Sequence, residues 1–311
     1  MNTLFFKYAV EVDRTRSITR AAENLFMAQP NLSRAIKEAE DSFGFPIFER
    51  TSKGVVPTKE GTVFLDYARR ILRQLDEMEK FVHDADSRVQ RFSVAFPRGS
   101  YIAASIPAFI SALDQEREID MNIVETNSIQ TIRQVEDGRC QLGIIRYQTF
   151  GEPYFSDYLK EKHMKSELIW EYECLVLMSA EHPLARKPEL HRDDLAEYLE
   201  LSHGDTAIPY IDAAKVRNDM TSVTGKKIYL YERGNQFEIL SKVPYTFIWV
   251  SPVTEDLLQK HGLIQRKCSF PDNKVRDLLI YPENYHFSDL DRVFLEKLYE
   301  SKTQVCYKNY R

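Results

Sequence analysis

Over the first forty-odd residues, apolar side chains recur at helical spacing and predict three short amphipathic helices. Leu4, Phe5, Tyr8, Ala9 and Val12 share one face of the first. Ile18, Ala21, Ala22 and Leu25 repeat at i, i+3, i+4 and i+7 in the second, with Ser17 placed to cap its start. The third carries Leu32, Ala35, Ile36, Ala39 and Phe43 as its buried stripe. Next comes FGFPIFERTSKGVVPTKEG, in which Phe45–Phe48 and Val55–Val56 read as two short strands around a tip of Ser52, Lys53 and Gly54.

From Thr58 to about Val89 there is no proline, and Leu65, Ala68, Leu72, Leu75 and Val82 follow a 3-4 spacing broken at Glu79, with Ile71 and Met78 beside it. Such a seam suits pairing with a second helix, or packing on the helix's own domain. Beyond it, strands and helices alternate. Phe92–Phe96, Ile119–Val124 and Gln141–Ile145 read as strands, separated by helices over Ile102–Leu113 and Ile129–Asp137. This βαβαβ order predicts a largely parallel sheet. A second α/β region is expected between about Glu167 and Gln265, with strands at Leu168–Met178, Leu199–Ser202, Lys227–Tyr231 and Phe247–Val250. A strand near Val275–Tyr281 and a helix over Ser288–Ser301 close the chain. Two lobes of this size predict a cleft between them, where ligands commonly sit.

The polar faces suggest chemistry. On the third helix Gln29, Ser33 and Lys37 form one row, with Pro30 and Arg34 beside it. Any surface helix has a polar face, but arginine pairs with guanine and glutamine with adenine, and serine serves a base edge or a phosphate. Two helices in tight succession, the second polar at its N-terminal half, are what docking in a DNA major groove requires. Arg50 and Lys53 on the hairpin are placed to meet phosphates, or to be an ordinary solvated surface. In the C-terminal region Ser100 and Ser128 each follow a strand and open a helix, as anion-binding hydroxyls or plain helix caps. Arg146 can pair with a ligand carboxylate or face solvent, and Ser202, His203 and Thr206 can close the site from the second lobe. Phe247 and Trp249 are apolar wall or core, and Arg98 is a further candidate.

The run SITRAAENLFMAQPNLSRAIKEAEDSFGFPIFERTSKGVVPTKEG resembles the signature of the LysR-type transcriptional regulators. Ser17, Ala21-Ala22, Leu25, Gln29-Pro30, Leu32-Ser33-Arg34, Ile36, Glu40, Phe48, Arg50, Thr58 and Gly61 carry the match. Two positions depart from it: Ala28 stands where the family has a capping Ser or Thr, and Pro57 replaces an aliphatic residue. The resemblance implies an α/β chain with an N-terminal all-α winged helix-turn-helix and a C-terminal two-lobed effector domain like a periplasmic binding protein. The expected layout is a DNA-binding domain over 1–60, a dimerising linker helix over 61–90 and an effector domain over 91–311. Its first lobe is expected at about 91–166 and 267–305, and its second at about 167–266. The implied function is sequence-specific transcriptional regulation controlled by a small-molecule effector, an anion among the candidates. The alternative is a regulator whose α/β domain serves oligomerisation only. Implied partners are double-stranded promoter DNA, a second copy through the linker helix, a homotetramer built from such dimers, and RNA polymerase.

Composition narrows the rest. The chain has 311 residues, 43% hydrophobic and 12% aromatic, long enough for two domains with real cores. Its net charge of -5 does not exclude nucleic acid, because binding depends on where cations cluster. Lys7, Glu11 and Asp13 interrupt the opening apolar run, so neither a signal peptide nor a membrane span is expected, and a cytoplasmic protein is. Cys140, Cys174, Cys268 and Cys306 are spaced too widely for a metal clamp or a compact disulfide framework. There is no Gly-rich phosphate loop, HExxH or GxSxG, and the seven histidines are scattered. No catalytic role, cofactor or metal is expected.

Overall fold

A computed structural model describes residues 3–51, 54–84, 89–98, 100–204, 224–231, 235–269, 273–306 and 310. The chain divides into two compact units, Met1–Arg88 and Val89–Arg311.

The first unit holds α1 (Leu4–Thr15), α2 (Ile18–Asn24), α3 (Gln29–Phe43), the hairpin strands β1 (Phe48–Thr51) and β2 (Gly54–Pro57), and α4 (Lys59–Asp84). Ser17 Oγ accepts the Arg20 N–H and caps α2. Ala28 has the extended backbone of a cap residue but no side chain to accept a bond, so α3 starts uncapped. Phe6, Ala9, Ala21, Leu32, Ile36 and Leu65 are among the buried residues of one shared core. The first strand of the hairpin runs from Phe48 rather than from Phe45. Pro46 has no N–H to give a ladder, and the Glu40 carboxylate takes the N–H groups of Ile47 and Phe48 at 2.7 and 3.1 Å. Gly61 sits where a Cβ would lie 1.9 Å from the Ile47 carbonyl oxygen, so only glycine lets α4 pack against this segment.

The apolar seam of α4 divides between two surroundings. Phe64, Leu65 and Ala68 are buried in the unit's own core, with Ile71 and Leu72 partly so. Arg69 pairs with Asp13 of α1. The side chains of α4 that remain outside include Val63, Tyr67 and Met78, each more than half exposed. The side chain of Val82 lies outside the described residues.

The second unit contains β3 (Val89–Pro97), α5 (Ser100–Ser111), β4 (Glu118–Thr126), α6 (Ser128–Glu136), β5 (Leu142–Gln148), α7 (Glu152–Glu161), β6 (Met164–Glu173) and β7 (Leu175–Ser179). It continues with β8 (Leu190–His191), β9 (Leu199–His203), β10 (Lys227–Leu230), α8 (Gln236–Lys242), β11 (Thr246–Val250), α9 (Glu255–His261), β12 (Leu263–Arg266), β13 (Cys268–Ser269), β14 (Lys274–Pro282) and α10 (Asp289–Cys306). Two five-stranded sheets result, ordered β4-β3-β5-β14-β6 and β10-β9-β11-β7-β12. In each, three strands are parallel and the other two run as an antiparallel pair.

Strand alternation sets the layers. Phe92, Val94 and Phe96 of β3 pack with Phe109 of α5 and Phe294 of α10 on one face of the first sheet. Ala95, Ile145 and Ile280 face α6 and α7 on the other. The expected strand Leu168–Met178 is two strands, not one. It breaks at Cys174, with β6 in the first sheet and β7 in the second. The crossing therefore lies beyond residue 167, and the return is made at Asn273, just before β14, rather than at 267. At the crossing the Cys174 N–H donates to the Asn273 carbonyl at 3.1 Å, and the Asn273 amide donates to the Cys174 carbonyl at 2.7 Å.

Candidate functional site

Two surfaces carry candidate chemistry, one in each unit. In the first, Leu32, Ile36 and Ala39 turn one stripe of α3 into the core. That packing leaves Gln29, Pro30, Arg34 and Lys37 exposed and Ser33 half-buried on the opposite side, in rows at i and i+4. Arg50 is exposed on β1, opposite Val55, while Lys53 lies outside the described residues. The Val55 N–H donates to the Arg16 carbonyl at 3.1 Å and anchors the hairpin to the end of α1. Gly54 is required beside it, with a φ of +104° and a Cβ position 2.7 Å from the same oxygen.

In the second unit a cleft of about 180 Å³ opens beside the C-terminal ends of β3, β4 and β11. Ser128 and Arg146 line it together with Arg98 and His203. Ser202 precedes His203 on β9 but does not reach the cleft wall. Thr206 and the side chain of Ser100 lie outside the described residues. Phe247 is fully buried in the second lobe's core against Val176, Met178 and Leu195, so it is not wall. Trp249 occupies the same face of β11 two residues nearer the strand's end, and it lines the cleft with Val250 and Ser251.

The polar groups of the cleft serve the protein itself. The Ser128 hydroxyl donates to the Arg146 carbonyl at 2.7 Å and accepts its N–H at 2.9 Å, joining the start of α6 to β5. The α6 cap is the Asn127 side chain, which accepts from the Gln130 N–H. Arg146 makes a two-pronged pair with the fully buried Asp277 of β14, both contacts at 2.7 Å. Its remaining nitrogen donates to the Arg98 carbonyl and the Ser251 hydroxyl, each at 3.3 Å. The Tyr101 and Tyr172 hydroxyls also reach Asp277, at 2.5 and 3.5 Å. Burial pushes the Tyr101 hydroxyl well above its ordinary value, and the Asp277 charge adds to that. Burial also works against the Arg146 charge, but Asp277 outweighs it and holds the guanidinium protonated more firmly than usual. Burial likewise pushes the Cys174 thiol, at the cleft wall, up to about 12.

Sequence reasoning missed Asp277, Tyr101 and Tyr172 because they lie on two strands and a helix distant in the chain. An aspartate next to the apolar run Leu278–Tyr281 was the available signal. It also missed Gln236, which opens α8 and lines the cleft while only 4% exposed. Among the described residues no group of acidic, His and Cys side chains could hold a metal. No described helix is long and apolar enough to cross a membrane.

Known proteins share both units. Residues 5–62 match the bacterial regulatory helix-turn-helix domain of the lysR family, and residues 85–199 match the LysR substrate binding domain. The probable cat1 operon transcriptional activator of Acinetobacter lwoffii is 31% identical over 184 residues, 58% of this chain and 57% of that protein. The HTH-type transcriptional regulator BenM of Acinetobacter baylyi is 28% identical over 200 residues, 63% and 62% of the two chains. The matched stretches thus span less than two thirds of these relatives. Full-length OxyR from Pseudomonas aeruginosa has the same fold, with a TM-score of 0.62, 17% identity and 98% and 96% of the two chains covered. So does CbnR, a LysR family transcriptional regulator, at a TM-score of 0.53, 15% identity and 97% and 99% coverage. With both domains matched in order, and the α3 and hairpin residues in register, the chain belongs to the LysR family of transcriptional regulators.

Proposed function

We propose that the chain is a sequence-specific DNA-binding transcriptional regulator controlled by a small-molecule effector bound in the cleft of its second unit. The observation that carries this reading is α3. Its apolar stripe is consumed by the core, and its exposed N-terminal half presents Gln29, Arg34 and Lys37, side chains able to read base edges or meet phosphates. Gln29, Pro30, Ser33 and Arg34 enter the major groove, and Lys37, Arg50 and Lys53 meet the phosphate backbone. The chain acts in the cytoplasm, without catalysis. It forms a homodimer through α4, dimers pair into a tetramer, and two α3 helices read half-sites about one DNA turn apart. A ligand that favours one arrangement of the two lobes shifts the population of that arrangement, and RNA polymerase recruitment follows.

The test is selection of promoter-length genomic fragments by the wild type and by Arg34→Ala across a salt series. The wild type should enrich fragments carrying two-fold symmetric half-sites. Arg34→Ala should lose about 1–3 kcal/mol of base discrimination while remaining folded. Equal, purely salt-governed binding by both proteins would remove the assignment of α3 as the reading element.

A further inference from the structure

Among the described residues the cleft wall holds a buried amide with an unused acceptor. Gln236 is 4% exposed, it lines the cleft, and its Oε1 is buried without a hydrogen-bond partner. Buried amide oxygens are nearly always bonded, because burial removes the water that would otherwise satisfy them. An unpaired one at the wall of a cavity is an acceptor waiting for a donor from outside the chain.

The other polar groups narrow the donor's character. Arg146 and Asp277 bond each other in two places, and two tyrosines, a serine and a carbonyl bond the pair further. The pair contributes no net charge, and a ligand carboxylate reaching for Arg146 would have to displace Asp277 from it. Arg98 is engaged as well. The Ser128 hydroxyl and the Asn127 oxygen are occupied by backbone groups. Among the described residues no carboxylate lines the cleft to attract a cation. What these residues offer a ligand is apolar surface from Pro97, Phe237, Trp249, Val250 and Val253, the Thr126 hydroxyl at the rim, and the buried Gln236 oxygen. A dry cavity of roughly 150 Å³ holds a benzene ring, so about 180 Å³ accommodates a ring with one small substituent.

We propose that Gln236 is the specificity-determining residue of this cleft, accepting a hydrogen bond from an uncharged, ring-sized effector that carries an N–H or O–H donor. The proposal rests on the effector reading above and replaces the anion favoured by Ser100, Ser128 and Arg146 in the sequence. A site built to bond a donor rejects the analogue lacking it, because the buried oxygen is then left unpaired in the complex.

The test uses the full-length protein and three probes with one ring: benzamide, which has the donor, methyl benzoate, which lacks it, and benzoate, which is charged. Titration calorimetry should find benzamide at least tenfold tighter than either of the others. Gln236→Leu should bring benzamide to the level of the ester, whereas Gln236→Glu, which keeps an acceptor, should retain the preference. The unliganded Tm separates this role from a structural one. Gln236→Leu removes an unpaired buried group and should leave Tm unchanged or raise it, while a fall of several degrees would overturn the proposal. Benzoate binding as tightly as benzamide would leave the effector reading standing and overturn the donor assignment. No binding of any probe at millimolar concentration would overturn the ring-sized donor proposal and leave the effector reading standing for ligands of other shape.

Discussion

Asp277 shows how one side chain fixes the chemistry around it. It is fully buried, and its charge is tolerable only because Arg146, Tyr101 and Tyr172 converge on it. Asp277→Ala leaves a buried guanidinium unpaired and should cost about 3–5 kcal/mol in urea unfolding. The double variant Arg146→Met/Asp277→Leu should recover most of that, and a loss equal to the single variant's would show that the pair holds the lobe together by more than its charge. His182 ties the stability of the second lobe to pH. It is 3% exposed, its Nδ1 accepts the Leu184 N–H at 3.0 Å, and its ring lies 4.5 Å from that of Tyr198. Burial lowers its pKa from 6.5 to about 4, so the folded state disfavours the proton that the unfolded chain accepts. Its contribution is complete above pH 6.5 and is lost as pH falls towards 4, by about 3 kcal/mol at about 1.4 kcal/mol per pH unit. His182→Asn keeps an acceptor for Leu184 without the titration. Stability curves of the two proteins should diverge only in that window, and parallel curves would exclude His182 as the cause.

Among the elements, α3 is the one most open to prediction and to improvement. Its stripe of Leu32, Ile36 and Ala39 was legible because helical spacing and burial coincide there. So was its missing cap. Ala28→Ser adds an acceptor for an N–H of the first turn and should stabilise the first unit by about 1 kcal/mol, read as a higher Tm. No gain would mean that this N–H group already has another acceptor. The hairpin was harder to place, because the length of β1 depends on Glu40, a helix residue whose carboxylate takes the Ile47 and Phe48 N–H groups. The break at Cys174 was hidden for a different reason. β6 mixes buried and exposed positions and β7 is buried throughout, yet no glycine or proline separates them, so Leu168–Met178 reads as one strand and nothing local records that its halves join different sheets. No element was predicted at α7, whose apolar residues Tyr154, Phe155, Tyr158 and Leu159 follow directly on Gly151 and Pro153. The cleft was readable only in outline. Ser128 follows β4 in sequence, but Arg146 lies inside β5, its partner Asp277 comes from β14, and Tyr101 reaches that aspartate from α5; no spacing rule links these.

For the whole molecule, the proposed dimerisation through α4 would draw on what its own unit leaves uncovered. Phe64, Leu65 and Ala68 are buried in the first unit's core, whereas Val63, Tyr67 and Met78 stay exposed. Tyr67→Glu should leave the first unit folded, since Tyr67 is 59% exposed, and should shift sedimentation velocity from dimer or tetramer to monomer at micromolar concentration. An unchanged sedimentation coefficient would move the interface elsewhere. Within the second unit, the two sheets are joined at Cys174 and Asn273 by chain segments that bond each other in both directions. A lobe tethered by a single strand can swivel freely. One tethered by two strands locked side by side can only flex, as a door does on its hinge pin. The seam at Cys174 and Asn273 thereby favours flexing about one line, and in the proposed regulator an occupant of the cleft would act through that angle.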